Sequence, residues 1–471
     1  MSKKIITRFA PSPTGYLHLG GLRTALYAWL WARQNNGTFI LRLEDTDQGR
    51  FIEGAEEKLK AVLHQLGLDH DEYYKQSDRL DLYRATADEL ISKGLAYRCN
   101  CTSERLDEMR KKLTEAKLPP KYDEHCRELN LPAEGQYVVR FKIPVNQTVS
   151  YSDVILGEMS IPTSQLDDFI LLKSDGWPTY HLAMLVDDHA MGITHVIRGP
   201  EWLPSLPKHV LLYDALGYER PAFVHVPLIL NPDKSKLSKR QGDVAVEDFL
   251  QKGYLPEALI NYIALLGWHA ADDREFFTLE ELKEQFSLER LQKSGAVFDV
   301  EKLNWFNSHY IRQAVEQNIP AYYQEVLAFV RENVLPGVDE TLLEKIIKVY
   351  SPRLEYLMLL KERSSYIFTL PDYPAEMLVF KKSTKEATTK GLTAAIKALT
   401  EVNVTRWVSV EQLETLLKEI ATTEGLTFGD VLWPVRVGLS GVEQSPSPAE
   451  LAWILGREES LRRLELASKK L

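Results

Sequence analysis

The residues in this sequence most able to do chemistry lie in two short clusters. In the first, His18-Leu19-Gly20-Gly21 stands where a proline-rich loop gives way to helical spacing. Glycines there let a ligand approach the backbone, and the free N–H groups and positive potential of a helix N-terminus favour phosphate. His18 adds a side-chain donor at the same place. In the second, Lys234, Lys236, Lys239 and Arg240 crowd one short segment between the turn signals Asn231-Pro232-Asp233 and Gln241-Gly242-Asp243. Small residues separate these cations, which suits an arm reaching over a polyphosphate better than a solvated helix face. Each signal is weak alone; together they point to a nucleotide.

The elements that must position the first cluster can be read locally. Lys4-Ile5-Ile6-Thr7-Arg8-Phe9 is apolar and β-branched and predicts a strand. Pro11 and Pro13 make the following residues a loop. Leu22, Leu26, Trp29 and Leu30 recur at helical spacing, and Asn35-Asn36-Gly37 ends that helix. Thr38-Phe39-Ile40-Leu41-Arg42-Leu43 reads as a second strand. Strand, helix and strand in so short a span make a βαβ unit with a parallel sheet.

Composition bounds the rest. The chain has 471 residues, which at about 100–200 residues per domain suggests about three domains. Lys+Arg 57 against Asp+Glu 67 gives a net charge of −10, which excludes a protein basic all over but not a local basic groove. No apolar run approaches the ~20 residues of a membrane span, and no signal-peptide core follows Lys3-Lys4. A cytoplasmic protein with no membrane partner is expected. The three cysteines, Cys99, Cys101 and Cys126, exclude a disulfide framework. Their clustering suggests structural zinc, the alternative being buried small apolar groups.

At this point the chain resembles the class I aminoacyl-tRNA synthetases. Pro11-Ser12-Pro13-Thr14-Gly15-Tyr16-Leu17-His18-Leu19-Gly20-Gly21 is similar to their HIGH signature, with Gly21 in place of the last histidine. Lys236-Leu237-Ser238-Lys239-Arg240 is similar to their KMSKS loop. The prefix Arg8-Phe9-Ala10-Pro11, with Leu43-Glu44-Asp45-Thr46-Asp47, resembles the glutamyl and glutaminyl branch. Lys173-Ser174-Asp175-Gly176-Trp177-Pro178-Thr179-Tyr180-His181, Val186-Asp187-Asp188-His189 and Thr194-His195-Val196-Ile197-Arg198-Gly199 resemble bacterial glutamyl-tRNA synthetases. So do Gly253-Tyr254-Leu255-Pro256 and Phe298-Asp299-Val300-Glu301.

The resemblance implies an α/β Rossmann-type catalytic domain with an inserted α+β acceptor-binding domain, followed by all-α stem-contact and anticodon-binding domains. The implied boundaries are 1–80 with 180–240, 81–179, 241–315 and 316–471, the last divisible near 375. It implies a glutamate–tRNA ligase that forms glutamyl-AMP from ATP with Mg²⁺ and passes glutamate to the terminal ribose of tRNA(Glu). No DNA partner is expected, and a monomer is the family default. His18, Lys236 and Lys239 are the implied catalytic residues. With Gly20, Glu201 and Trp202 they make the implied ATP site. Arg8, Arg198 and Tyr180 are implied to read the substrate side-chain carboxylate, and Ser12 and Glu44 its ammonium group. Arginine suits the first task because its planar fork matches a carboxylate. Arg353 and Arg436 are implied anticodon readers, Arg353 favouring tRNA(Glu) over tRNA(Gln). A non-discriminating enzyme and a catalytically silent tRNA-binding protein are the alternatives. Tyr122 is the preferred fourth zinc ligand, with His125 and Glu128 as alternatives, and some relatives lack the metal.

Overall fold

The computed structural model describes residues 3–13, 15–47, 49, 52–237, 245–317 and 319–471. Lys239 and Arg240 lie outside the described residues. The chain divides into two units, Met1–Leu250 with Pro256–Val300, and Gln251–Leu255 with Glu301–Leu471. The segment 241–315, expected as one helical domain, is thus divided at residue 300.

In the first unit the expected βαβ forms as β1 (Ile6–Phe9), α1 (Leu19–Gln34) and β2 (Thr38–Leu43). Every residue of β2 is buried, as in a strand covered on both faces. Gly37 is needed at the turn into β2, because a Cβ there would lie 2.2 Å from the Ile5 carbonyl oxygen. The chain continues through α2 (Ala55–Gln65), β3 (Glu72–Lys75), α3 (Leu80–Ser92), β4 (Ala96–Cys99), α4 (Ser103–Glu115), β5 (Val138–Phe141), β6 (Thr148–Asp153), β7 (Gly157–Pro162), β8 (Ile170–Leu172), α5 (Tyr180–Ala190), β9 (His195–Arg198), α6 (Leu206–Leu216) and β10 (Ala222–His225).

A seven-stranded sheet has the order β3-β2-β1-β9-β10-β6-β7. All its neighbours pair in parallel except β6 and β7. From β1 the chain passes through α1 to β2 on one side, and from β9 through α6 to β10 on the other. The sheet therefore reverses its winding between β1 and β9. In open α/β sheets that reversal opens a crevice at the carboxyl ends of the strands. Arg8 and Arg198 stand at those two ends.

The β6–β7 hairpin departs from the expected division, since Thr148–Pro162 extends the large sheet although 81–179 was expected as an insertion. Only β4, β5 and β8 form a separate three-stranded sheet. Phe141 and Leu171 of that small sheet share one buried core with Leu182, Val196 and Val210. An edge hairpin shows only alternating burial, and alternation does not say which sheet it joins.

Charge, as well as apolar packing, fastens α5 to the sheet. Arg42 is wholly buried in β2 between Leu41 and Leu43. Its Nη1 donates to Asp188 Oδ1 (2.7 Å), its Nη2 to Glu44 Oε1 (3.1 Å), and its Nε lies 3.8 Å from Asp187 Oδ2. Arg8 Nε donates to the same Asp188 oxygen (3.1 Å). Asp187 also accepts from Gln76 (3.0 Å), Arg79 (2.7 Å) and Tyr83 (2.7 Å). Burial opposes the Asp188 charge, but Arg8 and Arg42 hold its carboxyl below the usual range. Arg8, Arg42 and Arg79 are matched by Glu44, Asp187 and Asp188, so this cluster is balanced.

The second unit is helical throughout its described secondary structure. Long helices run over Glu340–Tyr350, Lys385–Glu401, Val410–Glu424, Phe428–Ser440 and Pro448–Ser468. Ser447 caps the last one in a capping box with Glu450, and Gly456 kinks it. Buried Arg463 donates to the carbonyls of Tyr366, Leu439 and Ile367, each at 2.7 Å. No helix among the described residues is long and apolar enough to cross a membrane.

Removing Arg42 leaves Asp187, Asp188 and Glu44 buried with too little positive charge. Arg42→Leu is expected to destabilise the protein by about 3–5 kcal/mol, with Arg42→Lys recovering only part because it lacks the fork. Urea unfolding of the full chain measures both.

Candidate active site

The crevice between β1 and β9 deepens into a cavity of about 850 Å³. Arg8, Ser12 and Glu44 line it from β1 and from the segments after β1 and β2. Tyr180 and Arg198 line it from α5 and β9, and Glu201 and Trp202 from the turn that follows β9. His18 and Gly20 close it at the start of α1, and Lys236 borders it. Every described residue expected in the nucleotide and amino-acid sites therefore lines one cavity.

At the α1 start, the sequence builds the site through a cap. His18 is the N-cap, and its Nδ1 accepts from the Gly20 N–H (3.0 Å). An accepting Nδ1 leaves the proton of a neutral ring on Nε2. The Gly20 N–H is thus taken by the imidazole, and what Gly20 offers is space: a Cβ would lie 3.3 Å from His18 Nδ1. Helix α1 is itself fixed by buried Arg23, which donates to the carbonyls of Leu266 (2.8 Å) and Pro227. Lys236 is exposed and has no ion pair among the described residues.

The end of the cavity expected to take the amino acid is organised around arginines in two different electrostatic settings. Arg8 is 3% exposed and paired with Asp188, within the balanced cluster. Burial pushes the Glu44 carboxyl up, against the pull of Arg42 and Arg8. Arg198 is 5% exposed and has no carboxylate partner among the described residues. Its Nη1 donates to the Tyr180 hydroxyl (3.1 Å) and its Nε to His225 Nε2 (3.0 Å), while its Nη2 meets His209 Nδ1 (3.3 Å). The Tyr180 ring stacks on Trp202 with centroids 3.7 Å apart, which fixes the hydroxyl. A buried cation without a counter-charge is costly, and an anionic ligand removes that cost.

The cysteine cluster lies beside β4, away from this cavity. The sulfurs of Cys99, Cys101 and Cys126 all lie within 4.8 Å of one another. The Tyr122 hydroxyl is 3.3 Å from the Cys99 sulfur and 3.6 Å from that of Cys101. Burial pushes the Cys101 thiol up to about 11. Three thiols and a phenol converging at this spacing fit a tetrahedral zinc site. The alternatives stand apart: His125 and Glu128 are exposed, and Glu128 pairs with Lys142 (2.9 Å).

In the second unit, Arg353 donates to the Val349 carbonyl and to Glu450 (3.2 Å). Arg436 donates to the Ser445 hydroxyl (3.1 Å) and carbonyl (2.7 Å). Both act electrostatically on the Tyr366 hydroxyl, so they belong to one neighbourhood.

Sequence reasoning missed Arg42, Asp187 and Asp188 as positioning groups, and also His209 and His225. The signal for the first set existed, since a charge inside an apolar strand or helix must find a buried partner. For the histidines no local signal existed.

Residues 4–305 match the family described as tRNA synthetases class I (E and Q), catalytic domain, and residues 319–468 match an anticodon binding domain. The chain is 42% identical over 497 residues to a glutamate–tRNA ligase of Alkaliphilus metalliredigens, covering 100% of both chains. It is 41% identical to that of Dehalococcoides mccartyi, covering 100% of this chain and 98% of the relative. The crystal structure of a glutamate tRNA ligase from Elizabethkingia meningosepticum, in complex with its amino acid, superimposes with a TM-score of 0.86 at 34% identity and 100% coverage of both chains. Its counterpart from Elizabethkingia anophelis gives 0.85, also at 34%, covering 99% of this chain and 100% of the other. A winding reversal lined with paired and unpaired arginines, a histidine-capped helix at its mouth and these full-length matches lead to one conclusion: the chain belongs to the class I tRNA synthetases of the E and Q group.

Proposed function

We propose that the chain is a glutamate–tRNA ligase acting in the cytoplasm as a monomer. The observation that carries the amino-acid choice is buried Arg198, whose donors meet only neutral groups among the described residues. A side-chain carboxylate supplies the missing negative charge, whereas the amide of glutamine leaves it missing. Tyr180 accepts from Arg198 and so keeps its own proton to donate to that carboxylate. Arg8 reads the same carboxylate from the other side. Ser12 and Glu44 receive the ammonium group, the Glu44 carboxylate being oriented by the Arg42 donor on Oε1.

The reaction has two steps. The glutamate α-carboxylate attacks the α-phosphorus of ATP, which enters as its Mg²⁺ complex, and pyrophosphate leaves. The terminal ribose hydroxyl of tRNA then attacks the mixed anhydride, and AMP leaves. The substrates supply both nucleophiles, so catalysis is positioning and charge stabilisation. His18 donates from Nε2 to the nucleotide, Gly20 gives it room, and Glu201 and Trp202 border its far side. Lys236 and Lys239 balance the charge gathering on the departing pyrophosphate, a task suited to compact charges on flexible stems.

Residues 1–80 and 180–240, with the β6–β7 hairpin in their sheet, carry this chemistry in the proposed division of labour; the rest of 81–179 takes the tRNA acceptor end, 241–315 its stem and 316–471 its anticodon. Arg353 and Arg436 read single-stranded bases there, by edge contacts and stacking. Cys99, Cys101, Cys126 and Tyr122 hold zinc, which orders the segment around β4 and supplies no chemistry to the reaction.

The purified chain is expected to charge tRNA(Glu) with labelled glutamate, and to charge neither tRNA(Gln) with glutamate nor any tRNA with glutamine. Charging of both tRNAs with glutamate would remove the discriminating role of Arg353, and charging of neither would leave a silent tRNA-binding protein. Metal analysis is expected to find about one zinc per chain, lost in Cys126→Ser; metal-free protein purified without chelator would leave the cluster as buried thiols.

A further inference from the structure

The partners of Arg198 form a chain of hydrogen bonds with only one consistent placement of protons. Arginine has donors and no acceptor. His225 Nε2, which receives Arg198 Nε at 3.0 Å, therefore carries a lone pair. The His225 proton sits on Nδ1 and is donated to Asp153 Oδ2 (2.8 Å). The other Asp153 oxygen accepts the N–H groups of Ile155 and Leu156, each at 2.9 Å, so the carboxylate is held from both ends. His209 Nδ1 faces Arg198 Nη2 at 3.3 Å and carries a lone pair for the same reason. The His209 proton then sits on Nε2 and points to His181 Nδ1 (3.0 Å). Protonating His209 would turn an N–H against the guanidinium, and protonating His225 would do the same. His209 and His225 are 0% and 1% exposed, so bulk solvent does not reach them. Burial, reinforced by the charge of Arg198, holds both rings below the usual histidine range; at His225 Asp153 opposes this only in part.

The contrast with the neighbouring arginines shows what this arrangement does. Arg8, which lines the same crevice, and wholly buried Arg42 are oriented by carboxylates, which cancel their charge while fixing their forks. Arg198 is oriented just as firmly, by acceptors that cancel nothing. We propose that His209 and His225 are positioning residues for amino-acid specificity: as neutral acceptors they aim the Arg198 fork and leave its whole charge for a side-chain carboxylate. This rests on the assignment of Arg198 to the substrate carboxylate. Asp153 extends the device by one step, since it fixes which His225 nitrogen carries the proton.

The test uses the full chain with tRNA present and compares kcat/KM for glutamate and glutamine. His209→Asn puts a neutral amide oxygen where Nδ1 stands, and His209→Asp puts a carboxylate there. With the asparagine, the preference for glutamate should stay within about threefold of the original. With the aspartate, kcat/KM for glutamate should fall at least about tenfold, through KM more than kcat, while KM for ATP stays within about threefold. The preference ratio should fall with it. Equal loss in both variants, equal loss for both amino acids, or an equal rise in the ATP KM would overturn the proposal, because a merely structural histidine behaves so. Should the aspartate variant fail to fold, His225→Gln and His225→Leu compare a neutral acceptor with none at Arg198 Nε. The glutamine variant should keep the preference and the leucine variant lose it through glutamate KM; the same result from both would overturn the proposal. A wild-type chain that charges no tRNA with glutamate would overturn the proposed function itself. A wild-type chain that does so, beside an aspartate variant with an unmoved preference, overturns only the positioning role.

Discussion

The arrangement of the first unit turns on a buried charge. Arg198 lies at the end of a central strand, where the sheet reverses its winding, and its donors meet a phenol and two imidazoles. Placing a guanidinium there without an internal counter-charge costs stability, and the surrounding structure has to bear that cost. The balanced cluster beside it shows how. Arg42, Arg8 and Arg79 with Asp187, Asp188 and Glu44 lock α5 to β2 and the segment leading into α3, so that Tyr180 at the start of α5 is carried on a rigid element. In the proposed reading, specificity for an acid rests on the unmatched charge of Arg198, held still beside matched ones.

The same logic links the fold to the proposed reaction. A ligase whose substrates bring their own nucleophiles needs geometry more than reactive side chains. The α1 cap meets that need at the proposed nucleotide end: one hydrogen bond, from the Gly20 N–H to His18 Nδ1, both caps the helix and settles which imidazole nitrogen accepts. At the proposed amino-acid end, Arg198 and its histidines settle protons in the same way. In both places a hydrogen bond fixes which nitrogen of a histidine accepts.

How much of this the sequence disclosed depended on how local each signal was. The strand Thr38–Leu43 has the limits that its β-branched and apolar run suggested, and the helix after the proline loop begins one residue before Gly20. Glycine, proline and asparagine punctuation acts over a few residues, so these elements are legible without the rest of the chain. The β6–β7 hairpin was not, because its place depends on Asp153 pairing with Phe223 far along the chain. Arg42 was half legible: its charge inside an apolar strand demanded a partner, but nothing nearby named Asp188. His209 and His225 were not legible at all. A single histidine on an apolar helix or strand reads as core packing, and only the folded chain brings both rings to one guanidinium. The cysteines sit between these cases, since their spacing suggested a cluster while the approach of Tyr122 depends on the irregular segment that carries it.

The central claim is that the uncompensated charge of Arg198 selects a carboxylate. The most direct measurement is kcat/KM for glutamate and for glutamine in Arg198→Gln, against the unaltered chain. The expected result is a loss of at least about a hundredfold for glutamate with a much smaller change for glutamine, so that the preference collapses. Equal losses for the two amino acids, or an intact preference, would contradict the account.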